Sequence, residues 1–190
     1  MPVMASTHHD TKRLFVAVPI REDVQQAIYS RLVEPAIDTD TVIWRRGIQC
    51  HCTLAFVGPA VVSNVCEALE ALLQRQRRSI DTGNDLPVEA TLERFSHRDN
   101  ATLRVILRSC PILEALSQNI KHCLNLPTSI FESHVTLAFL KDAPLGFGAE
   151  FSARTSGVTL DDLTFTVDRF CLYSSSKDGY TVEREFVLRA

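Results

Sequence analysis

Apolar positions along the chain fall into short runs with a period near two, which predict strands, and longer stretches at helical spacing. Leu14 to Val18 is an apolar strand closed by Pro19, and Val24, Ala27, Ile28 and Leu32 mark a helix over about Glu22 to Val33 that stops before Pro35. Val42-Ile43-Trp44 follows, then His51 to Gly58, then a helix from near Ser63 with Val65, Leu69, Leu72 and Leu73 on its apolar stripe. Val88 to Phe95 and Thr102 to Leu107 read as two strands joined by the polar turn Ser96 to Asn100, with His97 exposed in that turn. Pro111 opens a helix carrying Ile112, Leu113, Leu116, Ile120 and Leu124, with His122 on its surface. His134 to Lys141 is again strand, Ala143 to Ala149 with Pro144, Gly146 and Gly148 reads as a flexible loop, and Leu163 to Tyr173 alternates as one strand. Lys177-Asp178-Gly179 then turns a hairpin into Tyr180 to Leu188. Strand pairs separated by single helices predict an α+β fold of two lobes, each a largely antiparallel sheet with helices on its outer face. Residues 1–12, including His8-His9-Asp10, read as a mobile tail and 13–190 as a single bilobal domain.

Two of these strands say nearly the same thing. His51-Cys52-Thr53-Leu54-Ala55-Phe56-Val57-Gly58 and His134-Val135-Thr136-Leu137-Ala138-Phe139-Leu140-Lys141 share His, Thr, Leu, Ala and Phe at matching places. Strand side chains alternate, so His51 and Thr53 share a front while Cys52, Leu54 and Phe56 form an apolar back, and the second copy repeats this with His134 and Thr136 against Val135, Leu137 and Phe139. If the two strands meet at one cleft, two imidazoles and two hydroxyls converge. That set suits in-line displacement at phosphorus: one imidazole takes a proton, the other gives one, and the hydroxyls hold the non-bridging oxygens. Histidine fits because its ordinary pKa, about 6.5, lets one ring be neutral and the other protonated near neutral pH.

With its paired His-x-Thr motifs the chain resembles the 2H phosphoesterase superfamily, most nearly its 2'-5' RNA ligase-like (LigT/ThpR) and RNA 2',3'-cyclic phosphodiesterase branch. The resemblance runs from about Arg13 to Leu188. Arg13 to Val18 is similar to the family's first strand, Trp44 stands where the family often has a tryptophan ahead of the first motif, and Tyr180 to Leu188 is similar to its closing strand. It implies two pseudo-symmetric lobes around a central groove, His51 and His134 as catalytic residues, Thr53 and Thr136 as phosphate-binding residues, and no metal or other cofactor. It further implies a metal-independent phosphodiesterase that opens 2',3'-cyclic phosphates at RNA or nucleotide ends, with His134 as base and His51 as acid; related members cleave or form 2'-5' linkages. One position departs: bacterial members often carry an arginine where this chain has Phe139. Arg45, Arg46 and Lys141 lie near enough in sequence to supply that cation, and Arg45, Trp44 and Lys141 are candidate phosphate or base contacts.

Length and charge narrow the partners. With 190 residues, 45% hydrophobic and 23% charged, the chain is long enough to bury a sizeable core. A net charge of −3 argues against a broad grip on long nucleic acid and in favour of an RNA terminus or small nucleotide. The cysteines, at 50, 52, 66, 110, 123 and 171, show no C-x-x-C pair, which with the absence of a signal-like start or membrane-length apolar run reads as a cytoplasmic protein. Two readings compete: a nucleotide-binding module without turnover, and a zinc site built from His51, Cys52 and His134.

Overall fold

The computed structural model describes residues 11–34, 42–78, 88–98, 102–140 and 143–188. Residues 1–10 of the expected tail and Lys141 lie outside them, whereas Thr11 and Lys12, expected in the tail, begin the first strand. In chain order the elements are β1 (Thr11–Pro19), α1 (Glu22–Ile28) with a π-helical continuation (Tyr29–Val33), β2 (Ile43–Trp44), β3 (His51–Val61), α2 (Val62–Arg78), β4 (Val88–Arg98), β5 (Thr102–Leu107), α3 (Pro111–Cys123), β6 (His134–Phe139), α4 (Phe147–Arg154), β7 (Thr164–Val167), β8 (Arg169–Ser176) and β9 (Gly179–Val187).

The described strands form one sheet in the order β7-β4-β5-β6-β3-β1-β8-β9, with β2 pairing β6 from the side. All registered pairs are antiparallel. The sheet is two four-stranded halves, β6-β5-β4-β7 and β3-β1-β8-β9, each beginning with one copy of the repeated motif. A single registered pair, Cys52 opposite Val135, joins them. The motif strands are therefore central, and the α+β, two-lobed expectation holds.

Two predicted elements come out differently. Leu163 to Tyr173 is not one strand: it breaks at Asp168, so that β7 pairs β4 at the far edge of one half while β8 pairs β1 in the other. Val167 and Arg169 are separated by one residue and stand within about 7 Å of each other, so the sheet must curl until its two halves nearly close. The loop expected over Ala143 to Ala149 gives way to α4, because Gly146 takes a positive φ of 87° just before the helix and Phe151 is buried in the core. The strand ahead of the expected Ser96 turn also runs on to Arg98.

Burial explains the layering. In β1, Leu14, Val16 and Val18 face the helices while Phe15 and Ala17 face the groove with Cys171 and Tyr173, so both sides are covered and the run is apolar throughout. Leu113, Leu116 and Ile120 of α3 and Val65, Leu69 and Leu72 of α2 pack onto the other side of the sheet.

The outer hairpin is tied to β1 by a charge. Lys12 Nζ donates to Glu183 Oε1 at 3.0 Å and the Ser174 hydroxyl donates to the same oxygen at 2.6 Å. The Ser174 bond first, opposed by burial, then Lys12, holds the Glu183 carboxyl below its ordinary value. A lowered folded pKa contributes stability above the unfolded value, about 4.3, and loses it as pH falls through the folded one. Glu183→Gln is expected to cost less than about 1 kcal/mol at neutral pH and to flatten the acid limb. Urea unfolding from pH 3 to 7 checks this, and parallel acid limbs in variant and parent would contradict it.

Candidate active site

The single registered pair at the seam sets the site. With Cys52 opposite Val135 in antiparallel register, His51 comes opposite Thr136 and Thr53 opposite His134. All four side chains leave the same face, and all four are half-buried, whereas Cys52 and Val135 are fully buried on the other face. The result is a two-by-two array with the imidazoles on one diagonal and the hydroxyls on the other. Diagonal neighbours across an antiparallel pair are about 7–8 Å apart at the backbone, which leaves room for a tetrahedral phosphate between the rings.

The alternation expected along the motifs stops after the threonine. On β3, Ala17 is opposite Thr53 and Val16 opposite Ala55, so Leu54 is an extra residue; on β6, Arg104 is opposite Thr136 and Leu103 opposite Ala138, so Leu137 is extra. These are matching β-bulges. Each puts Leu and Ala together on the buried side and turns the phenylalanine round: Phe56 is 78% and Phe139 40% exposed. The expectation that both phenylalanines belong to the apolar back is therefore corrected. Each bulge carbonyl also finds a donor from outside the two motif strands: the Ser117 hydroxyl of α3 donates to Leu54 O at 2.7 Å, and the Arg45 N–H donates to Leu137 O at 2.7 Å.

That second bond brings a cation to the departure noted at Phe139. With its backbone anchored at Leu137, Arg45 lays its guanidinium 4.6 Å over the Phe139 ring and 5.6 Å from the Tyr180 ring, and Nη1 donates to Gln49 Oε1 at 2.9 Å. Tyr180 in turn meets His51 edge-on at 5.4 Å. Arg46 goes elsewhere, 3.9 Å over the Tyr29 ring and solvent-exposed. Gly47, with φ of 58°, turns the chain between them and the 3-10 turn Gly47–Gln49, and the Gln25 side chain of α1 grips its N–H at 2.9 Å.

The two imidazoles have different surroundings. His51 lies among aromatic rings, 4.9 Å from Phe15 and 5.5 Å from Tyr173, whose phenol is pushed upward first by burial and then by Cys171. His134 Nδ1 donates to the Glu132 carbonyl at 2.8 Å. A carbonyl only accepts, so Nδ1 carries hydrogen and Nε2 is the nitrogen whose lone pair is available when the ring is neutral.

Arg104 was not anticipated from the sequence. It stands opposite Thr136 on the same face, is 8% exposed, and its Nη1 donates to Glu132 Oε2 at 2.7 Å, bracing the residue whose carbonyl holds His134. The visible signal is one arginine inside the otherwise apolar run Thr102 to Leu107. Trp44 packs half-buried against Phe151, 5.8 Å between rings, so the structure gives it core contacts and no place in the array. The three zinc donors considered from sequence do not converge, because Cys52 points into the core with its thiol pushed up to about 12 by burial.

No protein-family model matches the chain, and no curated protein does. Solved structures do match in fold. LigT of E. coli complexed with 3'-AMP superposes with a TM-score of 0.71 at 18% identity, covering 95% of this chain and 100% of that one. A phosphoesterase gives 0.70 at 20% identity over 94% and 99% of the two chains, and TT0787 of Thermus thermophilus gives 0.67 at 24% over 93% and 98%. The chain thus has the LigT fold over nearly its whole length. No helix among the described residues is long and apolar enough to cross a membrane.

Proposed function

We propose that the chain is a 2H phosphoesterase whose groove opens 2',3'-cyclic phosphates at RNA or nucleotide ends by paired-histidine acid–base catalysis, without a metal. The observation that carries this reading is the placement of His51, Thr53, His134 and Thr136 on one face at the seam between the two halves. The LigT fold supports it, and LigT is itself complexed with 3'-AMP and with ATP.

In the proposed reaction water attacks phosphorus on the His134 side and gives a proton to His134 Nε2. The bond from phosphorus to the 3' oxygen breaks, and His51 protonates that oxygen as it leaves, so the product keeps a 2'-phosphate. Thr53 and Thr136 donate to the two non-bridging oxygens, where charge accumulates. Arg45 and Arg104 are the cations that take the place of the arginine missing at Phe139. The same groove run with an alcohol in place of water makes or breaks a 2'-5' linkage, which remains the second reading.

The test is turnover of a nucleoside 2',3'-cyclic phosphate by the purified protein in excess chelator. Turnover is expected to persist, because two imidazoles and two hydroxyls handle the protons and part of the charge. Activity that vanishes and returns only with a divalent ion, or binding without turnover, would overturn the reading in favour of a metal enzyme or a binding module.

A further inference from the structure

Beside the groove lies a cavity of about 740 Å³, within the range of small-molecule sites. None of the four motif side chains lines it. It shares two walls with the groove: Tyr173, which stacks on His51, and Arg45, which reaches over Phe139. The remaining wall comes from α1, the Trp44-Arg45-Arg46-Gly47 segment and the start of β8.

The polar atoms of this wall are lopsided. Trp44 Nε1 and Arg45 Nε are buried and have no hydrogen-bond acceptor among the described residues, and both residues line the cavity. Burying a donor without an acceptor is unfavourable, so two on one cavity wall call for an acceptor-rich occupant. Charge points the same way. Among the described residues the Arg45 guanidinium hydrogen-bonds only the neutral Gln49 and the Arg46 guanidinium lies over Tyr29, with no carboxylate in ion-pair range of either. Of the acids on the wall, Asp23 is held by Arg21 at 2.7 Å and Glu185 stands 3.6 Å from Arg169 Nε, leaving Glu22. Arginine pairs with planar forks of donors are suited to phosphate.

We propose that this cavity is a second phosphate subsite, which takes the 5'-phosphate of the nucleotide whose 2',3'-cyclic phosphate is opened at the histidines; the proposal rests on the phosphodiesterase reading above. A terminal nucleotide carries its two phosphorus centres on opposite sides of one ribose. The donor-rich cavity shares its Tyr173 wall with the groove, and Tyr173 stacks on His51, so one nucleotide can reach both. The subsite makes the enzyme a reader of RNA ends and 5'-phosphorylated nucleotides over bare nucleosides.

The experiment compares adenosine 2',3'-cyclic phosphate with its 5'-phosphorylated form and with a dinucleotide ending in the same cyclic phosphate. In the parent protein a 5'-phosphate is expected to raise kcat/KM by roughly ten- to a hundredfold, mostly through KM, the size of one or two charge-assisted hydrogen bonds. An advantage shared by both compounds marks a site for any 5'-phosphate, and one confined to the dinucleotide marks the internucleotide phosphate of an RNA end; either supports the subsite. Arg46→Gln, on an exposed side chain outside the catalytic array, should erase most of that advantage while leaving kcat and KM for the bare cyclic nucleotide unchanged. Trp44→Phe, which removes the indole N–H with the pyrrole part of the ring, should erase a smaller part. Equal kcat/KM for phosphorylated and bare substrates in the parent, or an equal loss on both in Arg46→Gln, overturns the subsite alone. Turnover of none of the three compounds overturns the phosphodiesterase reading and the subsite with it.

Discussion

His51→Ala and His134→Ala are each expected to lower turnover of a 2',3'-cyclic phosphate on the order of 10²–10⁴-fold, the usual worth of a positioned proton donor or acceptor. The losses should not multiply. The rings sit on one diagonal of a four-residue array built on a single strand pair; in the proposed reaction they act on one phosphorus atom in one step, and a unit that has lost one member has little left to lose. The double variant should therefore fall close to the worse of the singles. Folding must be followed separately, because His51 also fills space among Phe15, Tyr173 and Tyr180, whereas His134 is held by one bond to the Glu132 carbonyl. His51→Ala is expected to lower Tm more than His134→Ala, and His51→Asn, which keeps more of the volume, serves as the control with an intact fold. With both rings present, kcat/KM should be bell-shaped in pH, its limbs belonging to the coupled pair. A single variant that retains near-parental activity at parental Tm would dissolve the pairing.

What was legible in the chain and what was not divides at the bulges. Periodicity alone places His51, Thr53, His134 and Thr136 on shared faces because the first three residues of each motif keep strict alternation, and the observed burial of Cys52 and Val135 agrees. Phe56 and Phe139 were misplaced because a bulge is a property of two strands: nothing in Leu54-Ala55 or Leu137-Ala138 shows that a partner will skip a residue, and only the register with β1 and β5 reveals it. Arg104 was passed over for a related reason, since its worth depends on standing opposite Thr136 and beside Glu132, both distant in sequence. The break at Asp168 shows in the sequence only as a slip of phase: Leu163, Phe165 and Val167 alternate, Asp168 and Arg169 interrupt, and Phe170 to Tyr173 is buried throughout, while the change of pairing partner from β4 to β1 is not written locally. In α4 the signals Pro144, Gly146 and Gly148 argued for a loop. Burial of Phe151, with Trp44 and Phe147 packed at 5.8 and 6.2 Å, outweighs that local preference.

A substrate whose 3' oxygen is replaced by a much better leaving group is expected to rescue His51→Ala by at least roughly tenfold more than His134→Ala. The argument begins with tautomers. His134 gives its Nδ1 hydrogen to the Glu132 carbonyl, a partner braced in turn by the Arg104 guanidinium, so the neutral ring presents Nε2 as an acceptor and is prepared to take a proton from water. In the proposed reaction this leaves His51, whose ring meets the Tyr180 edge, to give its proton to the departing oxygen. A leaving group that departs as a stable anion no longer needs that proton, and removing the acid then costs little; the attacking water still needs its base, so removing His134 costs as much as before. The split is read from the ratio of kcat/KM on the activated and ordinary substrates in each variant and in the parent. Equal rescue of the two variants, or greater rescue of His134→Ala, would exchange the roles or make them interchangeable, and would leave the pairing of the histidines in place.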